Sequence, residues 1–351
     1  MTSTMSQPAA PVRSLADLRR TLLDAYAALP LASRPVALVD LPSYLNIGDS
    51  LITLGELELL RQTHPAMRAI YFGSHPSESV LAQINDNAGV LLIHGGGNFG
   101  TIWPKHQELR EHVARTMPRA TIVQLPQSVH FKTPADRDRS MGILSGHGDF
   151  HVMVRDRASY EQLSEAALAS LQLLPDSAFA LQLPTGGRTT HDVVVLARQD
   201  AESTHAHAID RAVAALGSAT VLRGDWASDA DLPVPWPAQH RLAARFFSRL
   251  ARRATRPTIQ RLAWHRVSTA RMQLGRRILS HGRVVLTDRL HVHVLCVLMG
   301  KPHVFFDNSY GKIRGLAEAC GTLGPNAVAA ADADDAAEHL RRLLREAGAK
   351  P

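Results

Sequence analysis

Apolar residues in this chain come in short bursts, separated by longer stretches in which they recur every three or four positions. The bursts are "VALVDLP", "RAIYFG", "GVLLIHGG", "ATIVQLPQS" and "FHVMVRD" in the first half, and "VVVLARQD", "ATVLRGD", "RVVLTDRLH" and "PHVFFDN" in the second. Each is short and closed by a polar or glycine-bearing turn, the pattern of a buried strand. Segments between some of them, such as "DSLITLGELELLRQ" and "PKHQELREHVARTM", carry the helical period. The alternation predicts an α/β fold with parallel sheets covered by helices. Residues 1–14 read as a disordered start, and Leu15 to Leu29 as an amphipathic helix. An N-terminal Rossmann-like domain is expected over 15–183. The polar, glycine-rich "PTGGRTTHD" (184–192) reads as a linker. The pattern then restarts as a C-terminal Rossmann-like domain over 193–330, and 331–351 forms a last helix whose acidic opening suits its dipole.

With 351 residues, 45% hydrophobic and 20% charged, the chain can bury two ordinary cores. Its two cysteines, Cys296 and Cys320, form no ligand cluster or disulfide framework, so a reducing cytoplasm is expected. No apolar run reaches the length of a membrane span, and "MTSTMSQPAAPVRS" has no signal-peptide core, which argues against secreted and membrane-spanning classes. The net charge of +7 is concentrated: Trp236 to Val285 hold twelve arginines and no Asp, Glu or Lys, so the remainder is net acidic. Within that segment Leu242, Phe246, Phe247, Leu250 and Ala254 recur at helical spacing among the arginines. Such a helix either meets an anionic membrane surface or packs on its own domain with a solvated basic face. Without a nucleic-acid motif or stacking aromatics, no nucleic-acid partner is expected.

Candidate chemistry begins at "GVLLIHGGGNFG" (89–100), a strand running into glycines that suit close approach of backbone N–H groups to an anion at the start of a following helix. Gly95, Gly97 and Gly100 match a dinucleotide fingerprint, yet the next strand ends in Leu125, Pro126 and Gln127 with no ribose-binding carboxylate. Thr101 and Ile102 stand where a phosphate loop needs Lys and Ser/Thr, and no G-x-S-x-G elbow accompanies the lipase-like His-Gly-Gly-Gly. A ligand turn of another kind, or a tight turn with no ligand, remains. Polar residues gather at the other strand ends too: Asn46 and Asp49, Gln127 and Ser128, Arg155 and Asp156, Arg198, Asp288 to His293, Asp307 to Lys312. Ligands of open parallel sheets bind beyond the carboxyl ends of the strands, so one cleft between two domains explains the set best.

"NIGDSLI", "IHGGGNFG", "LPQS", "VRDRAS", "LLPDSAF" and "TDRLHVHVLCVLMGKPHVFFDNSYGKIRG", in this order over some 270 residues, resemble the polysaccharide pyruvyl transferases, with "DNSYGKIRG" most like the bacterial exopolysaccharide branch. The resemblance implies two Rossmann-like domains facing a cleft, similar to GT-B glycosyltransferases. It also implies transfer of pyruvate from phosphoenolpyruvate, as a co-substrate, onto a saccharide as a ketal with release of phosphate. On that reading His291 and Asp49 are the acid–base pair, in either order. Arg289, Arg155 and Lys312, with Gly95, Gly96, Gly97 and Asn98, hold the donor's carboxylate and phosphate, a small dianion that calls for converging cations and N–H donors. Asn46, His94, Gln127, Asp307, Asn308 and Tyr310 are candidates for acceptor binding or support. His293 stands where related sequences often carry a small residue and receives no role. No cofactor and no metal are expected, and the acceptor is either free or lipid-linked. A nucleotide-sugar glycosyltransferase would share the cleft, and a non-catalytic membrane-docking scaffold would share the arginines.

Overall fold

The apolar bursts are strands whose side chains alternate between two cores, and helices cover both sides of each sheet. The computed structural model describes residues 13–71, 73, 76–185, 189–198, 205–226, 230–307 and 311–348. In the first half these form β1 (Val36–Val39), β2 (Ala69–Tyr71), β3 (Val90–Ile93), β4 (Gly96–Gly100), β5 (Thr121–His130), β6 (Phe150–Val154) and β7 (Ser170–Leu173). Helices α1 (Leu15–Ala27), α2 (Ile47–Thr63), α3 (Glu78–Asp86), α4 (Pro104–Thr116), α5 (Pro134–Ser145) and α6 (Arg157–Leu163) belong to the same half, which closes on a 3₁₀ turn, Ser177–Ala180. The second half holds β8 (His191–Leu196), β9 (Val221–Gly224), β10 (Gly282–Thr287), β11 (His303–Phe306) and β12 (Ala327–Ala330). Its helices are α7 (Ala206–Ala214), α8 (Ala238–Arg253), α9 (Pro257–Ser280), α10 (Leu290–Met299), α11 (Lys312–Cys320) and α12 (Ala333–Gly348).

All named strand pairs are parallel. The order is β2-β1-β3-β5-β6-β7 in the first sheet, with β4 beside β5, and β9-β8-β10-β11-β12 in the second. Both orders follow one doubly wound plan that reverses direction once, at β1/β3 and at β8/β10. Those two points are where such sheets open crevices at their carboxyl ends.

The period of two assigns the core. Ala37, Val39, Leu91, Ile93 and Ile122 face Leu81, Leu109, Val113 and Leu144 of α3 to α5. Val193, Val195, Val284 and Leu286 face Ile209, Leu340 and Leu343 of α7 and α12. Alternate residues such as Leu38, Leu92, Val194, Leu196 and Val285 join one core running through both halves, with Trp264, Val267, Leu274 and Ile278 of α9 along it. Helix α9 therefore ties the sheets together, packing on α2 and β2 of the first half and on β10 of the second. Gln260 reinforces the tie by accepting the Tyr71 backbone N–H at 3.1 Å.

Several expectations change at this level. Strands β7 and β12, absent from the sequence pattern, are edge strands with half-exposed "SLQL" and alanine-rich "AVAA", which lack an apolar burst. Arg13 and Ser14, expected in the disordered start, join the fold: the Arg13 N–H bonds the Gly321 carbonyl at 3.3 Å, and Ser14 caps α1 in a capping box. Residues 1–12 lie outside the described residues. Strand β8 opens at His191, inside the expected linker, whose residues 186–188 are likewise outside the description. The arginine-rich segment is two helices broken before Pro257. Its apolar residues do not share one face: Leu242 and Phe246 point outward at 63% and 61% exposure, Phe247 and Leu250 are half-buried, and Ala254 lies past the helix end.

The glycine run is the largest correction. Gly96–Gly100 is a strand in register with the far end of β5, and α4 begins only at Pro104, so the run is not the N-terminus of a helix. Gly95 and Gly100 answer to backbone crowding. Gly100 has φ +110, and a Cβ there would lie 2.0 Å from the His130 carbonyl oxygen. Gly100→Ala should therefore cost about 2 kcal/mol or more, since strain and collision add. Gly142→Ala, on exposed helix α5 with nothing within 4 Å of a new Cβ, should stabilise by about 0.5–1 kcal/mol. Thermal melting of the two variants is expected to move in opposite directions, and equal shifts would refute the crowding.

Candidate active site

The two switch points face each other across a cleft of about 460 Å³, a volume usual for small-molecule sites. Asp40 follows β1 and His94 follows β3 on one side; Arg198 follows β8 and Asp288 and Arg289 follow β10 on the other. Helices α2, α10 and α11 all begin at this cleft, with Asn46, Arg289 and Gly311 in their N-cap positions. Their dipoles point positive ends into the cleft and favour anions there.

The first turn of α2 carries the acidic face. Asn46 caps it by accepting the N–H groups of Gly48 and Asp49 at 2.9 and 3.3 Å, and donates to Asp49 Oδ2 at 2.8 Å. The half-exposed Tyr44 donates its hydroxyl to the same oxygen at 2.8 Å. That carboxylate, then burial, push the phenol well above its ordinary range. Two turns along α2, Glu56 is fully buried; it accepts Gly95 N–H at 2.8 Å and holds His94 Nδ1 at 2.6 Å. His94 is 2% exposed, and its buried Nε2 lines the cleft side without a hydrogen-bond partner among the described residues. Burial alone would lower its pKa, but the carboxylates of Glu56, Asp49 and Asp40 overcome it and hold the imidazole above its ordinary value.

Cations dominate the facing wall. Arg155 is buried: it donates from Nε to Ser128 at 2.9 Å and pairs through Nη1 with Asp176 at 2.5 Å. Asp176 opens the 3₁₀ turn and also accepts the Ala178 N–H at 2.8 Å. Burial works against its charge, but Arg155 first and then His291 hold its carboxyl well below the usual range. His291, in the first turn of α10, brings Nε2 to 3.5 Å from the Arg155 guanidinium and 3.7 Å from Asp176. Its ring packs against α2, where a Cβ on Gly48 would approach Nδ1 to 2.4 Å, so glycine is what admits it. Arg289 pairs with buried Asp225 at 2.5 Å, and Lys312, first residue of α11, lines the same wall.

Of the residues expected at the site, Asn46, Asp49, His94, Gly95, Gly97, Asn98, Arg155, Arg289, His291 and Lys312 meet at this cleft. The others do not. Gly96 is part of β4 and does not line the cavity. Gln127 is fully buried and braces Asn98, accepting its N–H at 3.3 Å and donating to its Oδ1 at 2.7 Å. Asp307 caps α11 through the N–H groups of Ile313 and Arg314. Asn308 and Tyr310 lie outside the described residues. Asn98 lines the cavity, but its side chain is engaged by Arg110, Gln127 and Asp40. Arg155, expected as a cation for the donor, meets the cleft already paired with Asp176. His293 sits away from the cleft, bonded to His303 at 2.8 Å.

Sequence reasoning missed Tyr44, Glu56, Trp103, His106, Asp176 and Asp225. Glu56 was within reach, since it lies seven residues after Asp49 and so on the same face of α2. Among the described residues no three His, Cys, Asp or Glu side chains are grouped to hold a metal ion.

A family model described as polysaccharide pyruvyl transferase matches residues 46–227 and 259–310. Pyruvyl transferase 1 of Schizosaccharomyces pombe is 31% identical over 298 residues, spanning 80% of this chain and 68% of the yeast protein. EpsO of Bacillus subtilis, named as a candidate pyruvyl transferase, is 29% identical over 305 residues, 85% of this chain and 89% of its own. Among solved structures, an uncharacterized protein of Klebsiella pneumoniae superposes with a TM-score of 0.52 at 17% identity, over 87% of this chain and 94% of that one, a likeness of fold alone.

Asp176→Asn leaves Arg155 buried without its counter-charge, which should cost about 3–5 kcal/mol. Because the folded-state pKa of Asp176 is depressed, the pair's contribution is present above the ordinary value of 3.8 and is lost as pH falls below it. Melting curves against pH should therefore converge for the two proteins on acidification, and a constant gap would contradict the pairing. Glu56→Gln removes the charge that offsets burial of His94, so the imidazole should fall below 6.5. Histidine NMR titration reads this directly, and an unmoved His94 resonance would refute it.

Proposed function

The chain belongs to the polysaccharide pyruvyl transferase family, and we propose that it moves pyruvate from phosphoenolpyruvate onto a sugar of an exopolysaccharide repeat unit as a ketal, releasing phosphate. The observation that carries this reading is the division of the cleft. Arg289, His291 and Lys312 gather at helix N-termini beside Arg155 from the end of β6, and the Asp49, Tyr44 and Asn46 cluster faces them. A three-carbon donor bearing a carboxylate and a phosphate needs such a density of cations. The cavity is larger than that donor requires, and the half-exposed rings of Tyr44 and Trp103 at its edge offer apolar faces to a sugar.

On this reading His291 protonates the methylene carbon of the donor, converting it to a methyl group and leaving an oxocarbenium-like centre at the neighbouring carbon. One sugar hydroxyl attacks that centre and gives up its proton to Asp49. Both bonds from Tyr44 and Asn46 use Oδ2, so Oδ1 is the oxygen available for it. A second hydroxyl then displaces phosphate, its proton leaving on the departing phosphate, and closes the ketal. Asp176 and Asp225 act as positioning residues, fixing Arg155 and Arg289 respectively. The chemistry as written uses no metal and no cofactor. We further propose a cytoplasmic reaction whose acceptor is a lipid-linked oligosaccharide.

Phosphoenolpyruvate should raise the melting temperature of the purified protein in a concentration-dependent way, and Arg289→Ala should abolish the shift. His291→Gln should lower phosphate release with a saccharide acceptor by about 10²–10⁴-fold, and EDTA should leave the wild-type rate unchanged. A shift with UDP-sugars alone would replace this reading by nucleotide-sugar transfer.

A further inference from the structure

Helix α8 has an outward face that the fold does not use. Its inward side is made by buried Ala244 and Ala251, with half-buried Phe247 and Leu250, and packs on α9. Turned away from that contact are Leu242 and Phe246, four residues apart and 63% and 61% exposed. At 100° per residue, Arg249 and Arg253 project within the same arc, and both are exposed. Leu262 on α9 is another large apolar side chain left half in water.

Folding accounts for only part of this composition: Arg252 and Arg253 suit the C-terminal end of the α8 dipole, but the start of the helix has no such match. The N-terminus of α8 has Pro237 as its cap, makes no side-chain cap bond and carries no acidic residue in its first turn. Helix α9 likewise starts from Arg256 with no side-chain cap bond and no acid in its first turn. Arginines close behind such starts oppose the helix dipole. Local choices that work against the fold mark a surface kept for another purpose.

We propose that the outward face of α8 docks the protein on an anionic membrane surface, with Leu242 and Phe246 entering the acyl boundary. Arg249 and Arg253 run their aliphatic stems along the same boundary and hold their guanidinium groups on headgroup phosphates. A bare polyanion would use the arginines and have no use for two exposed apolar side chains beside them, which favours lipid over nucleic acid. The face is coupled to the cleft. Arg252 of α8 donates to the Ser43 carbonyl at 3.5 Å and Arg271 of α9 to the Pro42 carbonyl at 3.2 Å, and these residues begin the rim segment that carries Tyr44 to Asp49. Docking there brings the acidic rim of the cleft beside the bilayer. This deepens the lipid-linked acceptor reading, but vesicle binding involves neither substrate, so failure of one leaves the other standing.

The test is sedimentation of the full chain with phosphatidylcholine vesicles, with and without phosphatidylglycerol. Binding is expected only with the anionic lipid and should weaken as salt is raised. Arg249→Gln with Arg253→Gln should weaken it roughly twenty-five-fold, since each basic residue near such a surface contributes about a factor of five. Leu242→Ser with Phe246→Ser should also reduce binding, and all these exposed changes should leave the melting temperature in place. Equal binding to neutral vesicles, or no binding to anionic ones, overturns the proposal. So does full vesicle binding by the Leu242→Ser, Phe246→Ser protein accompanied by equally tight binding to duplex DNA, which would make the face a general polyanion surface.

Discussion

Two basic side chains from different halves of the chain converge on one carboxylate that water does not reach. Asp176 pairs with Arg155 and lies 3.7 Å from His291, and a charge so deeply buried is tolerable only with a close partner. Three separate features must therefore be right at once. The 3₁₀ turn after β7 must deliver Asp176, the end of β6 must deliver Arg155, and α10 must seat His291 against the bare backbone of Gly48. The turn itself is fixed to the first half through the Tyr26–Ser177 hydroxyl bond at 3.0 Å. Relative placement of the two halves, and with it the width of the cleft, is thus tied to a charge-balance condition as well as to the shared core along α9.

The halves repeat one winding order but fill their crevices with different pairs of side chains. At the β1/β3 crevice the residues are carboxylates and the imidazoles they govern: Asp40 with His106, and Glu56 with His94. At the β8/β10 crevice they are guanidinium groups held by acids, as in Arg289 with Asp225. In each of these pairs the basic member is the more exposed and the acid lies beneath it, so both crevices present nitrogen donors backed by buried carboxylates.

Much of this was legible in the chain. Strand bursts gave the parallel sheets because residues buried on both faces must be apolar throughout, and the pooling of polar residues at strand ends pointed to a cleft. What escaped detection shares a physical cause. Edge strands β7 and β12 need no apolar burst, so nothing in "SLQL" or "AVAA" announces them. Asp176 and Asp225 act through tertiary pairing with arginines far away in sequence, and no local spacing encodes such a pair. The glycine run misled for a related reason: glycine reports that something comes close, and at Gly100 the neighbour is the chain's own β5 rather than a ligand.

That run of glycines also determines which part of the cleft can move. A glycine-rich loop at the head of a helix could fold over its ligand as a flap, but β4 is laced into the sheet along β5 and its Asn98 is gripped by Arg110, Gln127 and Asp40. This side is a floor. Any opening and closing that accompanies turnover must be carried by the opposite wall and by the 41–46 rim segment, which hangs on backbone carbonyls held by Arg252 and Arg271.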